Sequence, residues 1–314
     1  MSMNISPSAS AEAALFKFEN HDNRMMQRGD KTSIIRRILE AVNPSAAANR
    51  YMNAAKIVSN GIGEIASTLV DAGTPSQYAA AQAYEIYRGA QKLSHVEEAV
   101  CSAERFLEDD RQYEMPKREF VDDFVAAAED VNDRDVLLMF GRILAGEMES
   151  PGSFSKRTMD VLSKMNRTEA EVFQKVCGFS TYVLLDPDDC LEKESPVVAL
   201  KSDDGYHSYN NGKVTIDEMS ILNVIGILDT TLCTTVKVPQ GVRRFFYTAH
   251  GIISVANDGD SGEKETEFSS SVFLPTGIEL ARICSVGSDP ELYGFLTDKF
   301  KSEGFVVNLE STEG

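Results

Sequence analysis

Glu119-Phe120-Val121-Asp122-Asp123-Phe124-Val125-Ala126-Ala127-Ala128 opens the stretch that decides the fold. Phe120, Val121, Phe124, Val125 and Ala128 recur at helical spacing, so they line one face while Asp122 and Asp123 turn to solvent. Asn132 or Asp133 then offers an N-cap for a second helix through Val136, Leu137, Phe140, Ile143 and Leu144. Ser150-Pro151-Gly152 reads as a turn, and Ser155 as the cap of a third helix carrying Met159, Leu162 and Met165. Thr168-x-x-Glu171 has the form of a capping box and opens a fourth, through Val172 and Val176. Residues 119–177 therefore read as four short helices with tight connections, a compact bundle.

Upstream, the pattern stays helical. Ile34, Ile38 and Val42 fall on one line with Ile35 and Leu39 beside them, and Asn43-Pro44 ends that helix. An Ala-rich stretch with Ile57, Val58, Ile62, Ile65, Leu69 and Val70 follows, broken at Gly73-Thr74-Pro75 and punctuated by Gly61-Ile62-Gly63. A long helix through Tyr84, Tyr87 and Leu93 comes next, with Ser94-His95-Val96-Glu97 as a capping sequence for a fresh turn inside it. Residues 1–30, rich in Ser, Asn, Ala and Met without a sustained period, read as a mobile tail.

Downstream of Gly178 the period changes. Residues 181–185 and 196–201 read as strands, with turns at Asp204-Gly205 and Asn211-Gly212. Thr215-x-x-Glu218 boxes a helix through Met219, Leu222 and Ile225 that Gly226 stops. Val242–Ala249 and Ile252–Ala256 form a hairpin about His250-Gly251, and Phe268–Leu274 is a further strand. Thr276-x-x-Glu279 and Ser288-x-x-Glu291 cap two more helices, and Phe305–Leu309 closes the chain as a strand after Gly304. The expected class is α+β: a mainly helical N-terminal bundle over 31–178, then a mixed, winged-helix-like α/β domain over 179–314. Because the period changes at Gly178, the helical unit is expected to fold alone.

Composition narrows the function. Lys plus Arg number 31 against 49 Asp plus Glu, a net charge of −18. Segments 101–150 and 251–314 each carry −8, a field that repels phosphate backbones and disfavours broad nucleic-acid binding. Between Arg24 and Lys56 the balance reverses to +5, and acidic residues in 101–130 offer a counter-surface for Arg36 and Arg37. Five cysteines at 101, 177, 190, 233 and 284, odd in number and without a C-x-x-C pair, read as reduced thiols with no local partner. No run approaches a membrane span, and Met1–Pro7 lacks a basic start and apolar run, so the cytoplasm is the expected compartment.

No catalytic constellation emerges. His21, His95, His207 and His250 are scattered; Asp186, Asp188, Asp189 and Asp258, Asp260, Glu263 lack the calcium-loop pattern and read as solvated loops. G-x-x-x-x-G-K-[ST], H-E-x-x-H and G-x-S-x-G are absent. No cofactor, metal or catalytic residue is therefore expected.

Leu144-Ala145-Gly146-Glu147-Met148-Glu149-Ser150-Pro151-Gly152-Ser153-Phe154-Ser155-Lys156-Arg157-Thr158, with Asp130–Asp133 before it and Thr168–Phe173 after, resembles the core motif of an uncharacterised bacterial domain family. Phe273–Leu280 is similar to that family's C-terminal pattern, and Phe140-Gly141 stand where the family carries a tryptophan-alanine pair. The family in turn resembles the Abi-alpha domains named for abortive infection. What the resemblance implies is defence or mobile-element biology; with no catalytic constellation, the expected function is a non-enzymatic bacterial or prophage interaction protein, a sensor or adaptor in antiphage defence with a protein partner, phage-derived or a second copy. In the motif, Gly146 allows close packing, and Glu147 and Arg157 are expected to meet across the turn or contact a partner. Two alternatives stand beside this one. The first is a winged-helix regulator touching DNA through Lys237, Arg243 and Arg244. The second is an effector that meets a membrane surface through residues 31–42.

Overall fold

The computed structural model describes residues 28–42, 54–184, 197–200, 208–209, 214–230, 234–248, 251–258, 262–268, 270–284 and 290–310. The chain divides into two compact units, Met1–Lys164 and Met165–Gly314.

The first unit runs β1 (Arg28–Gly29), α1 (Lys31–Val42), α2 (Ala54–Asp71), α3 (Ser76–Ala103), β2 (Tyr113–Glu114), α4 (Arg118–Ala128), α5 (Arg134–Glu149) and α6 (Lys156–Lys164). Its core is the expected helix face: the Phe124 ring meets Phe140 edge-on at 5.6 Å and stacks with Phe120 at 6.2 Å, with Ile143, Leu144, Met159 and Leu162 buried. Asp133 caps α5, its side chain accepting from the amides of Asp135 and Val136. Ser155 does the same for α6 through the Thr158 amide at 3.3 Å. Gly141 brings α5 onto α3: a Cβ there would stand 3.0 Å from the Ala103 nitrogen.

Three expectations change here. α3 is one 28-residue helix without a break at Ser94-His95-Val96-Glu97, because Val96, Ala99 and Val100 continue its buried face. Arg28-Gly29, read as part of the tail, pairs with Tyr113-Glu114 as β1 against β2; residues 1–27 lie outside the described part. Arg28 meets Glu114 (2.8 Å) and Lys31 meets Asp109 (2.7 Å) in the acidic segment, while Arg36 lies 3.9 Å from Glu40 within its own helix. The apolar stripe of α1 is inside: Ile34 and Ile38 are 0% exposed and Ile35 5%, packed where α1 lies along α3.

The second unit begins with α7 (Arg167–Gly178), followed by β3 (Ser180–Leu184), β4 (Val197–Leu200), β5 (Ser208–Tyr209), β6 (Val214–Thr215) and α8 (Ile216–Val224). Then come β7 (Leu228–Asp229), β8 (Thr234–Val238), β9 (Arg243–Thr248), β10 (Gly251–Ala256), β11 (Lys264–Phe268), β12 (Ser270–Phe273), α9 (Pro275–Ile283), α10 (Pro290–Ser302) and β13 (Val306–Glu310). Seven strands form an antiparallel sheet in the order β13-β10-β9-β3-β4-β12-β7; β8 with β11 and β5 with β6 form two-stranded ribbons. α10 covers one stretch of the sheet, its Leu296 and Phe300 packing with Phe246, Ile253 and Val255; the Phe246 and Phe300 rings are 4.6 Å apart. α7 packs on α8 and sends Phe173 onto Phe273 of β12 at 6.2 Å.

The boundary thus falls before α7, and the fourth helix of the expected bundle goes with the sheet because its buried face, Val172, Phe173 and Val176, is satisfied there. Its capping box is Asn166 with Glu169, two residues earlier than expected. The Thr215–Glu218 box is present, and Gly226 stops α8 in the left-handed region at φ +77°. α9 instead starts at Pro275 with no side-chain cap, and Thr276 is buried inside it. The turns at Asp204-Gly205 and Asn211-Gly212, His250, and Ser288 lie outside the described residues. The fold is α+β, helical in its first unit and antiparallel β with helices in its second.

Candidate functional site

Glu147 sits in the last turn of α5 and is 2% exposed. One carboxylate oxygen accepts the Gly152 amide at 2.7 Å, and the other accepts those of Ser153 at 3.1 Å and Phe154 at 3.4 Å. Burial pushes its carboxyl above the ordinary value; the three amides and the Lys117 charge only partly offset this. Phe154 closes the turn from below, its ring edge 2.7 Å from where a Cβ on Gly146 would stand. The Ser153 hydroxyl donates to the Ser150 carbonyl at 2.5 Å.

The recognised motif is therefore a self-contained turn. Its acid holds the backbone of the next loop, and its glycine admits the Phe154 ring. Arg157 is exposed on α6, and the structure does not bring it to Glu147. With both oxygens taken by three amides, Glu147 has the geometry of a structural brace.

The second basic spot is also partly consumed. Lys237 on β8 lies 2.5 Å from Glu265 and 3.4 Å from Glu263, which raises its pKa. Arg243 and Arg244 are consecutive on β9 and so point to opposite faces; Arg243 is exposed, and Arg244 Nη1 donates to the Arg243 carbonyl at 3.1 Å. Glu263 of the second acidic cluster thus pairs with Lys237, Asp258 is exposed, and Asp260, Asp186, Asp188 and Asp189 lie outside the described residues. Among the described residues no group of three His, Cys, Asp or Glu is placed to hold a metal, and no helix is long and apolar enough to cross a membrane.

Cys177 does have a neighbour. It is buried on α7 with its thiol in hydrogen-bonding contact with Cys284 at the end of α9, and burial and that contact push its pKa well up. Sequence spacing does not reveal the pair, because 107 positions separate them and only the packing of α7 and α9 brings them together.

The surface that sequence reading missed is the α2–α3 hairpin. Ile62 is 37% exposed, Val70 44%, Tyr78 61%, Tyr84 47% and Ile86 38%. Among the described side chains of α2, Ala54 is the buried one, and the inner face of the hairpin half of α3 is alanine: Ala79, Ala83 and Ala90. α2 bends at Gly61, whose φ of +77° lies outside the helical region. The signal was present as apolar residues on more than one side of both helices, with few charges between them.

No curated protein and no solved structure matches the chain. The family described as "Protein of unknown function (DUF2806)" matches residues 81–297, well over half of the sequence. Its span includes the Glu147 turn, the expected C-terminal pattern at Phe273–Leu280 and most of the seven-stranded sheet. On that match, this chain belongs to the DUF2806 family.

Proposed function

We propose that this protein is a non-enzymatic interaction protein of bacterial or prophage origin, working in the cytoplasm as a sensor or adaptor in antiphage defence. The observation that carries the interaction reading is the hairpin, where five large apolar side chains stand more than one-third exposed along two helices. Apolar side chains left exposed along two packed helices favour a contact for another molecule. The defence assignment draws on the resemblance of the motif 144–158 to a family similar to Abi-alpha domains.

The two alternatives have less support. A winged-helix regulator would use Lys237, Arg243 and Arg244, but Lys237 is already held by two carboxylates. A membrane-surface effector would insert the stripe of α1, whose three isoleucines are packed inside the first unit.

Plating efficiency of a phage panel on cells carrying the protein tests the proposal. Protection by the wild type that is lost in Tyr84→Glu/Ile86→Glu, at equal protein level, is the expected result. Protection unchanged by the double substitution, or absent throughout the panel, refutes it.

A further inference from the structure

We propose that Cys177 and Cys284 are a peroxide-sensitive thiol pair that closes into a reversible disulfide and ties α7 to α9. Both are free thiols and both belong to the second unit.

Their positions are held by the fold. Phe173 and Cys177 stand four apart on α7, so they share one face. Phe173 meets the Phe273 ring of β12 edge-on at 6.2 Å, and α9 starts two residues later at Pro275. One turn on from Phe173, the Cys177 thiol is in hydrogen-bonding contact with Cys284, just past the end of α9. The two backbones are fixed independently. The Cys177 carbonyl accepts the Ser180 hydroxyl at 2.7 Å. The Cys284 amide donates to the Leu280 and Ala281 carbonyls at 3.1 and 3.2 Å, and Leu280 and Ile283 are buried beside it. Two sulfurs 107 positions apart are thus kept at one place.

Exposure gives them different parts. Cys284 is partly exposed and Cys177 is buried, so a dissolved oxidant reaches the Cys284 sulfur first. A reacting thiol with a second thiol beside it is the arrangement of a cysteine and its resolving partner. Burial, and then the hydrogen bond and charge of Cys284, keep the proton on Cys177. A metal would require both sulfurs as thiolates. A disulfide is uncharged, so the interior that disfavours a Cys177 thiolate accepts it.

The oxidant is a hydroperoxide. Its distal oxygen is attacked by the Cys284 sulfur; the O–O bond breaks, an S–O bond forms, and the remaining oxygen leaves as water or an alcohol with the thiol proton. The Cys177 sulfur then attacks the sulfenic sulfur of Cys284. The S–O bond breaks, the S–S bond forms, and hydroxide leaves as water with the Cys177 proton. The two thiols lose two electrons and the peroxide gains them. A dithiol reductant reverses the result by exchange.

Peptide mapping of the reduced full chain after hydrogen peroxide treatment, with free thiols alkylated before digestion, tests the proposal. A linked peptide pair joining Cys177 to Cys284, abolished by dithiothreitol, is expected. The urea midpoint of the oxidised protein should lie above that of the reduced protein, because the bond closes a loop of 107 residues in the unfolded chain. Cys284→Ser should lose both the linked pair and the midpoint shift, with Cys177 recovered as a free thiol. Cys177→Ser should leave a sulfenic acid at Cys284 that dimedone traps. The wild-type map decides even if a variant fails to fold. Cys177 and Cys284 both alkylated after peroxide, a link from either to another cysteine, or an unmoved midpoint in the linked protein overturns the inference.

Discussion

Replacing Gly141 by alanine sets two known effects against each other at one atom. In a helix, alanine is favoured over glycine by about 1 kcal/mol. Against that, the new Cβ would stand 3.0 Å from the Ala103 nitrogen and the Ser102 carbonyl carbon, and would strike the Ser102 hydroxyl. Ser102 is 7% exposed and its hydroxyl donates to the Ala99 carbonyl at 2.8 Å, so it has little freedom to turn away. Losing that hydrogen bond costs about 1 kcal/mol, and overpacking against a helix backbone about 1–3 kcal/mol. The clash wins, leaving a net destabilisation of about 1–3 kcal/mol. Gly89→Ala meets no atom of the described residues, so it should stabilise by about 0.5–1 kcal/mol. Urea unfolding of both variants gives the comparison, with the m-value checked for constancy. If Gly141→Ala is as stabilising as Gly89→Ala, the close approach of α5 to α3 is wrong.

Further predictions follow from the brace, the buried stripe and the thiols. Because burial holds the Glu147 carboxyl above its ordinary pKa, the folded state binds that proton more tightly than the unfolded chain. Its contribution is then fully present below the ordinary carboxylate pKa and is lost as pH rises through the raised value. The stability difference between the wild type and Glu147→Ala should therefore shrink as pH rises across that interval, while at neutral pH the substitution still costs about 1–3 kcal/mol by stripping three amides of their acceptor. Ile34→Glu/Ile38→Glu places two acids at positions that are 0% exposed, so the first unit should unfold or melt far lower, and flotation with anionic vesicles should not change. In native protein a thiol reagent should label exposed Cys101 well before buried Cys177, whose thiolate is disfavoured; equal rates at both would contradict the packing of α7 against Cys284.

Local features were legible where one residue type has one local job. Asp133 at the start of α5, Ser155 at α6 and the Thr215–Glu218 box each answer a need for amide acceptors within three residues. Where two local solutions compete, sequence alone does not choose. Asn166–Glu169 and Thr168–Glu171 both fit a capping box, and the earlier start adds two residues and places Arg167 at 3.0 Å from Glu171. At α9 the fixed φ of Pro275 sets the start, so Thr276 goes inward rather than capping. The order of the seven-stranded sheet was not legible, since β3 pairs with β9 and β12 with β4 across long separations. The role of Glu147 was half legible: its place at the turn showed in the motif, but its partners are backbone amides, which carry no sequence signature.

Site-specific photocrosslinking in living cells tests the central claim most directly, that the hairpin is where this protein meets its partners. A photoreactive phenylalanine replaces Tyr84, 47% exposed on α3, and, as the control, Arg134, whose side chain is 86% exposed at the start of α5. Discrete adducts at position 84, against none at position 134, are what the account predicts. No adduct at position 84, or the same adducts at both positions, would contradict it.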